Sequence, residues 1–142
     1  MWDMDNSGEA CEGVVECTAL VLAEGYTELD GRITLFGVMD EIRTSGDGTS
    51  FVVYAKFEGC EHAGGKERWA RFIVADEEGN VIEESEEQSV LLDGTEEPAT
   101  MLVRFDLPEE IEDEERVLWI EAILDEETLS QTAIRLQKNY NV

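Results

Sequence analysis

The feature that most restricts this chain is a succession of short strand-like runs broken by turn signals, with no amphipathic helix of three turns between them. FVVYAKFE, residues 51 to 58, is the plainest run: Phe51, Val53, Ala55 and Phe57 alternate with Val52, Tyr54, Lys56 and Glu58. That period of two belongs to a half-buried antiparallel strand. Met101, Val103, Phe105 and Leu107 alternate in the same way with Leu102, Arg104 and Asp106, and Pro108 ends the run because it has no N–H for a ladder. ERWARFIVAD, a turn at Glu77 to Asn80, and a return run from Val81 to Ser85 form a hairpin pattern. CTALVLA (17–23), VLWIEAIL (117–124) and TLSQTAIRL (128–136) complete the series. Eight or nine short strands predict an all-β fold, an antiparallel β-sandwich of immunoglobulin-like architecture, with a small β-barrel as the alternative. The Cys…Trp…Cys spacing of true immunoglobulin domains is absent, so the expectation is one of architecture.

Within this series LDGRITLFGVMDEI, residues 29 to 42, is apolar on both faces. Ile33, Leu35, Gly37 and Met39 lie on one face, with Thr34, Phe36, Val38 and Ile42 on the other. Two-sided apolarity predicts a central strand covered on both sides, entered through a tight Asp30-Gly31 turn, with a bulge or close backbone approach at Gly37. The strands at 33–42, 51–58, 68–76 and 117–124 are therefore expected to supply most of the core.

Charge narrows the partners. Against 10 Lys and Arg stand 35 Asp and Glu, a formal net charge of -25. Direct binding of nucleic acid is not expected, because phosphates are held by displacing counterions with Lys and Arg, and anionic membranes are disfavoured for the same reason. A protein partner, preferably basic, is the expected class, with oligomeric state open. No run reaches the ~20 apolar residues of a membrane span. Residues 1–13 (MWDMDNSGEACEG) lack the basic start and apolar centre of a secretory signal and are expected to be a flexible acidic leader before a single domain, 14–142. The resulting expectation is a cytoplasmic protein whose three cysteines, an odd number, are free thiols.

The order of pieces carries a resemblance. An apolar first strand, then DGRITLFGVMDEI, then FVVYAKFEG, then a hairpin containing ADEEGNVI is similar to a family of small bacterial β-sandwich domains of unknown function. Its pattern is a DG-x-L/I-x-L-x-G-x-x-D segment following the first strand, here placed on Asp30, Gly31, Gly37 and Asp40. The resemblance covers most of residues 17 to 137. It implies a β-sandwich and a bacterial or phage setting, and it brings neither an activity nor catalytic residues. The acidity and the cysteine-bearing leader depart from it.

Candidate chemistry is sparse. Between Asp76 and Glu115 there are seventeen acids and one base, Arg104. Glu83, Glu84, Glu86, Glu87, Glu109, Glu110, Glu112 and Asp113 are the candidate partner-binding residues, and gathered on one face they would imitate the phosphate rows of DNA for a basic protein. The ordinary meaning of such a run is a solvated surface. Calcium would need oxygen ligands from acidic end loops, with Asp76, Glu78 and Asn80 the main candidates and Asp30, Asp47 and Asp93 further ones. The spacing lacks the alternating acids and distal Glu of an EF-hand loop, and a hairpin turn is the commoner meaning. Cys11, Cys17, Cys60 and His62 form an acceptable zinc ligand set at spacings that structural sites do not favour. His62 is the sole histidine, so a nucleophile-base pair would have to use it, and no GxSxG motif accompanies it. Trp69 and Trp119 are strand residues expected to cover core or sheet, although Trp69 beside Arg68 and Arg71 is one hint of a contact surface that is not acidic.

No cofactor and no catalysis are expected. The leading expectation is a non-catalytic protein-binding module; the rivals are an acidic nucleic-acid mimic, a calcium-binding sandwich and an uncharacterised enzyme. If diffuse repulsion limits the fold, raising KCl from ~0.1 M to above ~1 M, which shortens the Debye length from ~10 to ~3 Å, raises the thermal unfolding midpoint. A flat midpoint in calorimetry would mean that the acids are spread or locally compensated.

Overall fold

The computed structural model describes residues 15–44, 49–59, 66–92, 98–107 and 116–138. The expected leader, 1–13, lies outside them. The described chain is strands and turns without helix: β1 (Val15–Leu29), β2 (Arg32–Val38), β3 (Glu41–Thr44), β4 (Thr49–Gly59), β5 (Lys66–Ala75), β6 (Val81–Glu84), β7 (Gln88–Leu92), β8 (Ala99–Leu107), β9 (Arg116–Leu124) and β10 (Glu127–Lys138). They form two open sheets and no closed barrel. Sheet 1 has the order β2-β1-β4-β8, and sheet 2 the order β3-β10-β9-β5-β6, with β7 pairing the other half of β5. All pairs are antiparallel but one: β3 lies parallel to β10, Glu41 opposite Arg135. Among the described residues no helix is long and apolar enough to cross a membrane.

The alternation read from sequence fills the space between the sheets. Phe51, Val53, Ala55 and Phe57 of β4 point inward with Met101, Phe105 and Leu107 of β8. They meet Ala70, Phe72 and Val74 of β5, Leu118, Ile120, Ala122 and Leu124 of β9, and Ile134 and Leu136 of β10. Phe105 stacks on its cross-strand partner Phe51, with centroids 5.8 Å apart, and meets Phe72 of the facing sheet at 6.5 Å, tilted 60°. Offset and tilted ring pairs of this kind add about 0.5–1.5 kcal/mol each beyond the burial of their area.

The segment 29–42 is not one central strand. It is an edge strand of sheet 1, β2, that crosses at Met39–Asp40 into sheet 2 as β3. Its apolar residues are two-sided for different reasons: Ile42 is buried between the sheets, whereas Phe36 and Val38 face solvent. The crossing keeps both sheets attached to one run of chain, since the Met39 N–H donates to Leu22 O in sheet 1 and the Arg135 N–H of sheet 2 donates to Asp40 O. Among the described residues there are ten strands rather than eight or nine, because this run is split and because β7 occupies what reads as an acidic connection. A kink at 85–87 separates β6 from β7; there the Ser85 N–H donates to Phe72 O at 2.9 Å, and Ser85 Oγ accepts the Phe72 N–H at 2.8 Å.

The first turn is as expected, with Asp30 at φ 52° and Gly31 at φ 77°, both in the left-handed region that a two-residue hairpin requires. Gly37, at φ +69°, is a close approach as well: a Cβ there would stand 2.7 Å from Glu24 side-chain atoms. Glu24 is exposed and can swing away, so the backbone carries most of the cost. Gly37→Ala is expected to lose about 1–2 kcal/mol in urea unfolding, the left-handed penalty for a residue with Cβ, and the added change Glu24→Ala to recover almost none of it. Full recovery would place the cost in the side-chain clash instead.

Candidate functional site

The four outer edges of the two sheets differ in how they are protected against pairing. β3 is four residues long. The β6/β7 edge is broken by its kink and carries Glu83, Glu84, Glu86 and Glu87. β8 displays Arg104 and Asp106, both exposed. Short length, irregularity and charge are the usual devices that blunt an edge. β2 has only its kink at Gly37: from Ile33 to Met39 it holds no charged residue, in a chain of net charge -25.

Side chains on β2 are exposed on its outer face, where Phe36 is 50% and Val38 67% accessible. The opposite face presents Ile33 and Leu35, half-buried, and Leu29 at the hairpin tip is 74% accessible. The Phe36 ring is held in place by its cross-strand partner, Gly25, where any Cβ would lie 2.6 Å from the ring. Glu24, Glu28, Asp30 and Asp40 surround the strand, all exposed, against one base, Arg32. The Glu24 carboxylate lies over Gly37, its Oε2 2.7 Å from the position that a Cβ would take. Negative charge is thus carried across β1 onto the open edge.

The acidic candidates divide. Glu83, Glu84, Glu86 and Glu87 run along one edge, and the first three border a groove of about 420 Å³ that also meets Val103, Arg104, Phe105 and Asp106 of β8. Arg104 therefore sits among them as a counter-charge, and Glu84 Oε1 is 3.8 Å from Arg71 Nε. Glu109, Glu110, Glu112 and Asp113 lie outside the described residues.

Of the calcium candidates, Asp76 is the organiser of the β5–β6 turn. Its Oδ1 accepts the N–H groups of Asn80 (2.8 Å) and Glu78 (2.9 Å), and its Oδ2 accepts from Asn80 Nδ2 at 3.2 Å. Glu77 of the same turn accepts the Val117 N–H at 3.2 Å, tying the turn to β9. Asp30 belongs to the first hairpin turn, and Asp47 and Asp93 lie outside the described residues. Cys17 is half-buried in β1, its thiol donating to Ala19 O at 3.2 Å, and burial pushes its pKa up, away from the thiolate that zinc requires. Cys11, Cys60 and His62 lie outside the described residues. Among the described residues no group of three or more His, Cys, Asp or Glu side chains is arranged to hold a metal.

Trp69 and Trp119 both stand on the outer face of sheet 2, 45% and 36% accessible. The two arginines near Trp69 are already engaged. Arg68 Nη1 meets Asp125 Oδ2 at 3.3 Å, and Arg71 donates to both carboxylate oxygens of Glu126 at 3.0 and 3.4 Å. These contacts, with Asp125 Oδ1 accepting the Trp69 N–H at 3.0 Å, hold a turn in which Asp125 (φ 48°) and Glu126 (φ 68°) take left-handed angles without glycine. The hinted arginine-flanked surface is thus largely an intramolecular clamp. A shallow cavity of about 320 Å³ lies farther along the same face, lined by Asp40, Glu41, Val117, Ala133 and Arg135. The β2 edge was not among the residues picked out from sequence for binding; the signal that could have found it is the missing charge from 33 to 39.

No family profile matches the chain, and no curated protein sequence matches it. Solved structures share its fold. Over 87% of this chain the alkylpurine DNA glycosylase AlkC of Pseudomonas fluorescens, bound to DNA containing an abasic site analog, is similar at a TM-score of 0.53 and 8% identity. A β-glucosidase of Listeria innocua is similar over 91% at 0.50 and 14% identity. An immunoglobulin-like protein of Pseudomonas aeruginosa aligns over 89% of this chain and 98% of its own, at 0.42 and 12% identity. The chain spans 30% of the glycosylase and 16% of the β-glucosidase. For the glycosylase and the β-glucosidase, at these identities, the likeness is one of fold.

Asp76 gives a pH prediction. The Asn80 backbone N–H foremost holds its carboxyl below the usual carboxylate range; burial is next and opposes it, while the Asn80 amide, the Glu78 N–H and the charge of Arg116 add to the lowering. A depressed folded pKa contributes stability above the unfolded value and loses it as pH falls through the folded one. The stability difference between the native chain and Asp76→Ala should therefore be constant near neutrality and shrink as pH drops below the usual carboxylate range. Urea unfolding at stepped pH checks this, and a difference that widens on acidification would contradict it.

Proposed function

We propose that this chain is a non-catalytic binding module that takes a protein partner at the β2 edge. The observation that carries the reading is the exposed, uncharged and apolar character of that edge, with Phe36 and Val38 projecting from it, in an otherwise acid-covered sandwich. A contiguous apolar patch left exposed on a folded protein is a mark of an interaction surface. A basic partner is favoured, since the field of the chain repels acidic proteins and draws basic ones. Direct binding of nucleic acid or an anionic membrane is disfavoured by the same field. The likeness of this fold to 16–30% of two longer enzymes fits a sandwich used as one part of a larger chain.

A second reading rests on Glu83, Glu84, Glu86 and Glu87, which follow one another along a single edge. There the chain would act as an acidic decoy for a nucleic-acid-binding protein. One experiment separates the two. Immobilised native chain, Val38→Lys, Val81→Lys and a form with all four glutamates changed to Gln are used to capture proteins from a soluble extract. We expect a protein retained by the native chain and by Val81→Lys to be lost at least about tenfold from Val38→Lys, since a lysine on an edge strand opposes pairing. Loss from the four-Gln form alone supports the decoy. Identical capture by all four forms refutes both readings.

A further inference from the structure

We infer that β2 receives an extended, acid-free segment of its partner that adds to sheet 1 as a fifth strand, with a Lys or Arg of that segment placed against Glu24. The inference rests on the reading of the chain as a protein-binding module and specifies the chemistry of its partner.

Three observations lead to it. β2 pairs on one side with β1, and no strand among the described residues pairs its other side. An unpaired row of N–H and C=O groups is a template for strand addition, and the other three edges are shortened, kinked or charged. Second, an added strand would flank both faces of β2 at once, covering Phe36 and Val38 on one face and Ile33 and Leu35 on the other. Alternate apolar residues in the incoming segment would meet Phe36 and Val38 in cross-strand pairs, and the residues between them would lie on the face of Ile33, Leu35 and Gly37.

The third observation sets the charge. Gly37 has no side chain, and Glu24 fills the vacated space, which moves its carboxylate one strand closer to the open edge. An incoming residue opposite Gly37 would stand about 4.5–5.5 Å from the backbone of that position, within reach of a lysine or arginine to the Glu24 carboxylate. Glu28, Asp30 and Asp40 extend the same sign around the strand, so an acidic segment is repelled along its whole length. A second copy of this chain would instead bring two such acid-ringed edges, each on a body of net charge -25, against one another. The charge pattern therefore favours a basic segment over self-pairing.

The test uses the full chain and two synthetic probes, acetyl-TVKVKVT-amide and its acidic counterpart acetyl-TVEVEVT-amide, with amide hydrogen exchange followed residue by residue. The lysine peptide is expected to slow exchange of amides within 33–38 at least about tenfold while leaving β8 unchanged, and the glutamate peptide to have no effect. Glu24→Gln should weaken lysine-peptide binding about three- to tenfold, and raised KCl should weaken it further. Protection by neither peptide, equal protection by both, or protection of β8 in place of β2 overturns the inference. So does protection of 33–38 that rises with protein concentration in the absence of peptide, which would identify a second copy as the occupant. Peptide protection at β2 with protein capture indifferent to Val38→Lys would refute the parent reading, and with it the partner, and would leave only the capacity of β2 to pair with a basic strand; the reverse pair of results would refute this inference alone.

Discussion

The contact of Phe105 with Phe51 on one side and Phe72 on the other is the joint on which this molecule turns. Phe51 and Phe105 are opposite one another on β4 and β8, so their stacking belongs to sheet 1, while Phe72 sits at the middle of β5 in sheet 2. One ring therefore connects in-sheet pairing with face-to-face packing. Phe72 also shares two hydrogen bonds with Ser85, which fixes the kink in the adjoining edge. The positions of Glu83, Glu84, Glu86 and Glu87 thus follow from a ring buried beneath them. Burying these aromatics helps to offset both chain entropy and the mutual repulsion of the acids.

The acids are arranged with more structure than their number suggests. Asp76, Asp125 and Glu126 are spent on turns, each binding backbone N–H groups or arginine. Others line the kinked edge beside β8. The β2 strand stands apart because its neighbours supply its charge: its own side chains from 33 to 39 are neutral, while Glu24 leans over it from β1. An edge is usually guarded by the charges it bears, and here the charge beside it belongs to the strand behind.

Much of the fold is legible in the residues, and the failures have physical causes. The alternations at 51–58 and 101–107 report burial because each strand has one dry and one wet face. The Asp30-Gly31 turn and the special backbone at Gly37 are equally readable, being local requirements. The run 29–42 misleads because apolarity on both faces is ambiguous: it describes a strand covered twice, but also a strand exposed at an edge that crosses into another sheet. Distinguishing them needs the partner strands, and β10 lies at the other end of the chain. β7 is hidden because the acids before it read as connection. The acid-rich edge is visible as composition, whereas the placement of Glu24 over Gly37 depends on the register of β1 against β2, which composition does not encode. Arg68 and Arg71 look free in sequence because their partners, Asp125 and Glu126, are more than fifty residues away.

The crossing at Met39–Asp40 also has a bearing on the order of events in time. β2 can close on β1 through a two-residue turn as soon as both exist, an event of microseconds for a hairpin. β3 has to wait, because the strand it lies against, from Arg135 to Lys138, is among the last of the described residues to be synthesised. For that interval the half-built sandwich exposes not only β2 but the continuation of the same strand, a sticky template in any growing chain. The dense negative charge of the segments made in between then takes on a temporal role, keeping neighbouring nascent chains apart until the late strand arrives to fasten the crossing.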